Sequence, residues 1–329
     1  VKKKTKKSGF CIYNPSSLVY KKLMLKHGEK SLKGLSVAKV CGKIMQAGVA
    51  QQLDQHMLIA ETLWDSDGRH VLFTQNEGLI DSVLHSKFSL SEDARLCLPY
   101  STFILAMPKG FKVNGVTIPS ALVSYYDHAK RKERFNCALN LMGVGDGEHN
   151  EGHLKGLDSL SLFYQEPGAE KGVITQVTQT PFQVSGALSA NNADEFAQIL
   201  GEMPKEHVSP IAQDITDNDR VIQYVLTKII AGISAIISAG EEHIIKDGLP
   251  NSGRVHLDHI KTDQRYSYSY INAPSNIYED DKIGVRRFHL RQLRHEKYYQ
   301  NQYQNMPSGS RWVFVRESQI GDYNAQHIV

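Results

Sequence analysis

Cysteine is scarce in this sequence. The four present, Cys11, Cys41, Cys97 and Cys137, are separated by 30, 56 and 40 residues, so no pair has CxxC spacing. That spacing excludes a zinc knuckle or a dithiol redox motif and leads us to expect reduced thiols in a cytoplasmic protein. Long apolar runs are missing too. The longest, residues 229–239, lies between Lys228 and Glu241, and its length falls well short of the roughly 20 residues of a bilayer span. It reads as a buried helix, with no membrane partner expected. The first ten residues, VKKKTKKSGF, lead into Asn14, Pro15 and more lysines instead of an apolar run, which is not the pattern of a secretory signal. Nucleotide-cradling GK[ST] and GxGxxG patterns and a GxSxG nucleophile elbow are likewise missing.

What is there is an ordinary globular composition, 41% apolar and 22% charged over 329 residues. A chain of this length buries a substantial core as two domains or one elaborated one. The formal charge of +3 hides an asymmetry. Residues 1–43 hold twelve lysines, no arginine and one acid, Glu29, which makes this end +11 and leaves −8 for the remainder. Such a block attracts phosphate or another acidic surface through salt-sensitive counterion release, or it is simply a solvated, solubilising tail.

Apolar spacing predicts helices over residues 16–27 under a serine cap, 36–45, 49–64 and 78–85. Asn114-Gly115 between residues 111–113 and 116–118 predicts a two-residue hairpin. Strands are expected at 121–126, 135–142, 159–164 and 172–178, forming an antiparallel meander. A short helix is expected at 192–200. A long one is expected at 221–245, with Asp217, Asn218 and Asp219 at its start; it is apolar nearly all round and therefore central. Residues 251–281 read as polar and turn-rich. The fold class is thus α+β. Its regions are a basic tail (1–8), a mainly helical part (9–100), an antiparallel sheet (101–215), and a central helix with a basic aromatic C-terminal part (216–329) that forms one compact unit with the sheet.

Candidate chemistry is thin before residue 283. His149 and His153 have i, i+4 spacing, but Gly152 between them disfavours the helix that a zinc pair needs. His256, Asp258 and His259 combine ligand and acid–base types. They support a metal-dependent nuclease as an alternative reading, against chance clustering among 14 histidines. No metal or cofactor is assigned.

The informative segment carries Arg286, Arg287, His289, Arg291, Arg294, His295, Tyr298 and Tyr299, followed by Arg311 and Trp312. If helical, Arg287, Arg291, Arg294 and Tyr298 form one stripe; if extended, His289, Arg291, Leu293 and His295 share a face. Arginine holds phosphate or carboxylate in a planar fork. Seven of the 15 tyrosines lie between Tyr266 and Tyr303, where bases of single-stranded RNA would have rings to stack on. The same residues also suit a structural arginine network over Glu279, Asp280 and Asp281.

Arg287-Phe288-His289-Leu290-Arg291, then aromatics, a turn and Arg311-Trp312-Val313-Phe314-Val315, resembles the C-terminal R-P-H-x-R-R-G-H-W … W-V signature of a family of phage and mobile-element proteins. That family includes a type V-A anti-CRISPR protein that suppresses production of its target Cas nuclease. Similar too are Leu98-Pro99-Tyr100 before an apolar stretch and the long helix before Gly248-Leu249-Pro250. Phe288 stands where the family has proline, and Gln292-Leu293-Arg294-His295 replaces R-G-H-W. The resemblance implies a counter-defence or regulatory protein, a binding protein more than an enzyme, and leaves open whether it cuts RNA itself or recruits a host nuclease. Such a protein acts co-translationally on a nascent polypeptide or its mRNA at the ribosome of a bacterial host. A phage structural or assembly protein that binds acidic surfaces is a further alternative.

Overall fold

The computed structural model describes residues 9–48, 52–74, 77–85, 96–145, 156–165, 174–202, 216–238, 245–250, 256–258, 265–271, 284–286, 289–293, 295–300, 304, 311–315 and 318–320. In chain order the elements are β1 (Gly9–Cys11), α1 (Ser16–Lys26), α2 (Val37–Gln46), α3 (Gln52–Ser66), β2 (His70–Phe73), α4 (Glu77–His85) and β3 (Thr102–Pro108). The hairpin β4 (Lys112–Val113) and β5 (Val116–Thr117) follows, then β6 (Ala121–Tyr126), α5 (Arg131–Met142), β7 (Ser159–Tyr164), β8 (Thr175–Gln179), α6 (Pro181–Ser189), α7 (Ala193–Glu202) and α8 (Asp217–Ser238). The chain continues with β9 (Ile245–Asp247), β10 (His256–Asp258), β11 (Ser267–Ile271), β12 (Gly284–Arg286), β13 (His289–Leu293), β14 (Arg311–Val315) and β15 (Ser318–Ile320). The fold is α+β.

A nine-stranded sheet runs β8-β7-β6-β3-β2-β11-β9, with β1 paired to β3 and β10 beyond the end of β2. The expected antiparallel run is present in β3, β6, β7 and β8. The sheet as a whole is mixed, however, because β2 is parallel to both β3 and β11, and β1 is parallel to β10. Both faces are covered. In β3, Phe103, Leu105 and Met107 join a core with α4, α6, α7 and α8, while Ile104 and Ala106 join a second core with α1, α2, α3 and α5. All seven residues of β3 are buried, as the two-residue period requires of a strand sandwiched between helical layers.

Several expectations are corrected. Residues 135–142 are helical, within α5. Alternating Phe135, Cys137, Leu139 and Leu141 imitate a strand, yet the residues that pack are Ala138, Leu139 and Met142, while Cys137 and Leu141 are exposed. Glu133 in the first turn and Gly143 in the left-handed C-terminal position complete a helix. Ile245 belongs to β9 opposite Ile271 instead of to the long helix, which ends at Ser238 among the described residues. In the stretch read as turn-rich, β11 is a strand of the main sheet. Tyr266, Tyr268 and Tyr270 are partly buried against the α3-side core, with Tyr266 5.6 Å from Trp64 and Tyr268 5.9 Å from Phe73 between ring centroids. These three are therefore core rings. The Asn114-Gly115 hairpin forms as expected, both residues having positive φ.

Pro15, not a serine, occupies the N-cap position of α1 and makes no side-chain cap. The carboxylate of Glu61 in α3 takes over. It accepts the Ser16 and Ser17 amides at 2.5 and 2.9 Å, the Ser17 hydroxyl at 2.5 Å and the Tyr13 hydroxyl at 2.9 Å. Burial pushes the Glu61 carboxyl up, with those hydrogen bonds acting the other way. Helix α8 is the one described helix long and apolar enough to cross a membrane by length and composition. Here it is the core of the other layer, contacting α4, α6 and α7.

Candidate functional site

The C-terminal signature folds as a ribbon. His289 and Arg291 lie in β13, Arg311 and Trp312 in β14, and the two strands pair antiparallel with Arg291 opposite Val313, Gln292 opposite Trp312 and Leu293 opposite Arg311. The helical stripe does not form; the segment takes the extended alternative. Arg286 ends β12, opposite Ser318 of β15. His295 caps a single 3-10 turn, accepting the Lys297 amide at 3.2 Å, while the Tyr299 hydroxyl donates to the Leu293 carbonyl at 2.6 Å. The Lys297 ammonium lies 4.9 Å from the Tyr298 ring centroid. Strand β14 contacts α8, so the ribbon is mounted on the central helix. Arg287 and Arg294 lie outside the described residues, as do the lysines of residues 1–8, His149, His153, His259 and the Glu279–Asp281 acids. The backbones of His256 and Asp258 are in β10, opposite Gly9 and Cys11 of β1.

A second constellation was not singled out from the sequence. Strands β6 and β7 pair antiparallel with Tyr126 opposite Ser159, so residues just after β6 must meet the residue just before β7. There Asp158 accepts the Tyr125 hydroxyl at 2.6 Å on Oδ2 and the His128 amide at 2.9 Å on Oδ1. The His128 Nδ1 is 2.8 Å from the same Oδ1 and 4.0 Å from Asp127 Oδ1. Asp158 is 9% exposed at its side chain, whereas His128 is 38% exposed. A carboxylate only accepts, so the imidazole presents Nδ1–H to it. Both strands were legible in the sequence. Their register, which brings Asp127, His128 and Asp158 together, was not.

Two cavities flank this point. One, about 280 Å³ with its open mouth included, is lined by Tyr125, Asp158, Ser159 and Gln179 on its polar side and by Leu96, Leu160, Pro181 and Val184 on its apolar side. The other, about 410 Å³, lies across the sheet and is lined by His56, Arg131, Ser159 and Ser161 together with Tyr126, Phe135 and Phe163. Arg131 donates to the Leu157 carbonyl and to Ser159 Oγ at 3.1 Å, fixing the approach to β7. Burial pushes the Tyr126 hydroxyl up. Gln179 is fully buried; its Oε1 accepts the Thr227 hydroxyl at 2.7 Å, and its Nε2 has no partner among the described residues. Leaving one end of a buried amide unpaired costs about 1–3 kcal/mol.

No protein-family model, no curated protein and no solved structure matches this chain. The functional reading therefore rests on the resemblance of the C-terminal signature and on where the fold places its residues.

Proposed function

We propose that this chain is a phage- or mobile-element-encoded counter-defence or regulatory protein of the bacterial cytoplasm that silences a target protein while it is being translated. It acts as a binding protein, engaging the nascent polypeptide, its message or both at the ribosome. The observation that supports this reading is the β13–β14 pairing. The two halves of the signature, His289–Leu293 and Arg311–Val315, are separated by 17 residues, yet they are hydrogen-bonded partners in one ribbon on α8. Each strand carries an arginine, and an arginine fork engages phosphate or carboxylate bidentately.

A target gene recoded synonymously through its early codons keeps the peptide and changes the bases; a compensated frameshift does the reverse. Silencing is expected to survive recoding and to be lost on the frameshift. It is also expected to fall at least tenfold in the His289→Ala/Arg291→Ala double variant with little change in melting temperature. Survival of the frameshift with loss on recoding would replace the peptide reader with a direct RNA reader. A double variant that silences fully would remove the ribbon from the mechanism.

A further inference from the structure

Asp127, His128 and Asp158 offer three ligand atoms that all lie within 4.8 Å of one another, supplied by the turn after β6 and the residue leading into β7. Two carboxylates and an imidazole suit divalent ions of the manganese and zinc class, for which oxygen and nitrogen donors combine at about 2.0–2.2 Å. Donor atoms around an octahedral ion with bonds of that length lie about 3 Å apart on neighbouring positions and about 4 Å apart on opposite ones, and around a tetrahedral ion about 3.4 Å apart. The separations of 2.8 and 4.0 Å from His128 Nδ1 to the two carboxylates fall near this range. Asp158 is held in place from behind by the Tyr125 hydroxyl and the His128 amide, the kind of outer support that orients metal ligands.

A separate observation lies beside the cluster. Asp158 and Gln179 line one cavity, and of the buried Gln179 amide one end is engaged by the Thr227 hydroxyl while the other has no partner among the described residues. A water carried by an ion at Asp158, able both to donate and to accept, would supply a partner for that end.

We propose that Asp127, His128 and Asp158 form a divalent metal site of the manganese or zinc class, opening on the cavity shared by Asp158 and Gln179. On binding, the imidazole proton moves from Nδ1 to Nε2, and both Nδ1 and the Asp158 Oδ1 it faced become ligands. An ion there would supply the Lewis acidity that metal-assisted hydrolysis uses. The site is independent of the silencing reading and stands or falls without it.

The test uses the full chain, stripped with a chelator and titrated with manganese chloride, followed by the free-ion electron paramagnetic resonance signal, and with zinc chloride, followed by calorimetry. One ion per chain is expected. His128→Asn and Asp127→Asn, both at a surface turn, are each expected to weaken binding at least tenfold with only a small fall in the metal-free melting temperature; His27→Asn, on an exposed histidine elsewhere, is expected to bind normally. In the unmodified chain manganese is expected to broaden the amide signals of residues 127–129 and 158 before all others. No binding up to 1 mM ion, normal binding by both turn variants, or broadening centred elsewhere would overturn the site.

Discussion

The two helical layers hold their buried charged side chains differently. On the α3 side, Glu61 is fully buried and both of its oxygens are engaged, by two backbone amides and two hydroxyls. On the α8 side, Lys228 is equally buried and donates to the Ala190 carbonyl at 2.7 Å and the Tyr224 hydroxyl at 3.0 Å. Around it Gln179, Gln183 and Gln223 keep amide atoms with no partner among the described residues. A satisfied buried group specifies structure, whereas an unsatisfied one marks an interior that is incomplete without water or a ligand. Glu61 thus ties α1 to α3 through a fully engaged carboxyl group, while buried polar atoms with no partner among the described residues occur in both layers, Thr62 Oγ1 on α3 and the Gln223 amide on α8 among them; the α8 layer is the one that borders the Asp158 cavity and carries the ribbon.

Glu61→Gln should widen this contrast most. It sets an amide N–H against donors already aimed at that oxygen and is expected to cost about 3 kcal/mol in denaturant unfolding. The wild type should also show a pH signature. With its carboxyl held above the ordinary range by burial, the folded state keeps a proton that the unfolded chain releases. Stability is therefore full below the ordinary carboxylate value and falls as pH rises through the raised one. Glu61→Gln should remove that slope, and a wild-type stability that instead climbs across the same window would reverse the assignment.

Helix contacts test the same comparison at smaller cost. A Cβ at Gly42 would sit 2.1 Å from the Met142 carbonyl oxygen, where α2 meets α5, and backbone cannot yield. At Gly232 it would meet the Val83 side chain at 2.4 Å, where α8 meets α4, and a side chain can turn. Gly42→Ala is expected to lose about 2 kcal/mol and Gly232→Ala about 1 kcal/mol, the helix propensity gained by each being already subtracted. Equal melting temperatures for the two variants would show both layers to be equally compliant.

The smallest effect should have the opposite sign. Gln223→Met removes two buried polar atoms that have no partner among the described residues, so a gain of about 1 kcal/mol is expected in the same unfolding assay. A loss would show that the amide is satisfied by something bound.

Much of the architecture was legible one element at a time. The Ser36 cap of α2, the Asn192 side chain accepting the Glu195 amide at 2.8 Å, and the exact limits of β6 and β7 all follow local chemistry. The errors fell where two periods fit the same residues, as in α5, or where serine–tyrosine alternation disguised β11 as a loop. For the sites, the ribbon residues were named in advance with their conformation left open, while Asp127, His128 and Asp158 were passed over because Asp158 lies 30 residues beyond His128 in the chain.

By itself, then, the amino-acid order determined the fold class, most helices, the antiparallel strands and the basic ends, because caps, turns and apolar spacing act within a few residues. Only the tertiary structure decided that β2 and β11 lie parallel at the centre, that Tyr266 and Tyr268 pack near Trp64 and Phe73, and that His128 reaches Asp158. Each depends on strand register and on which surfaces are buried together, and those are settled by contacts between residues far apart in the chain.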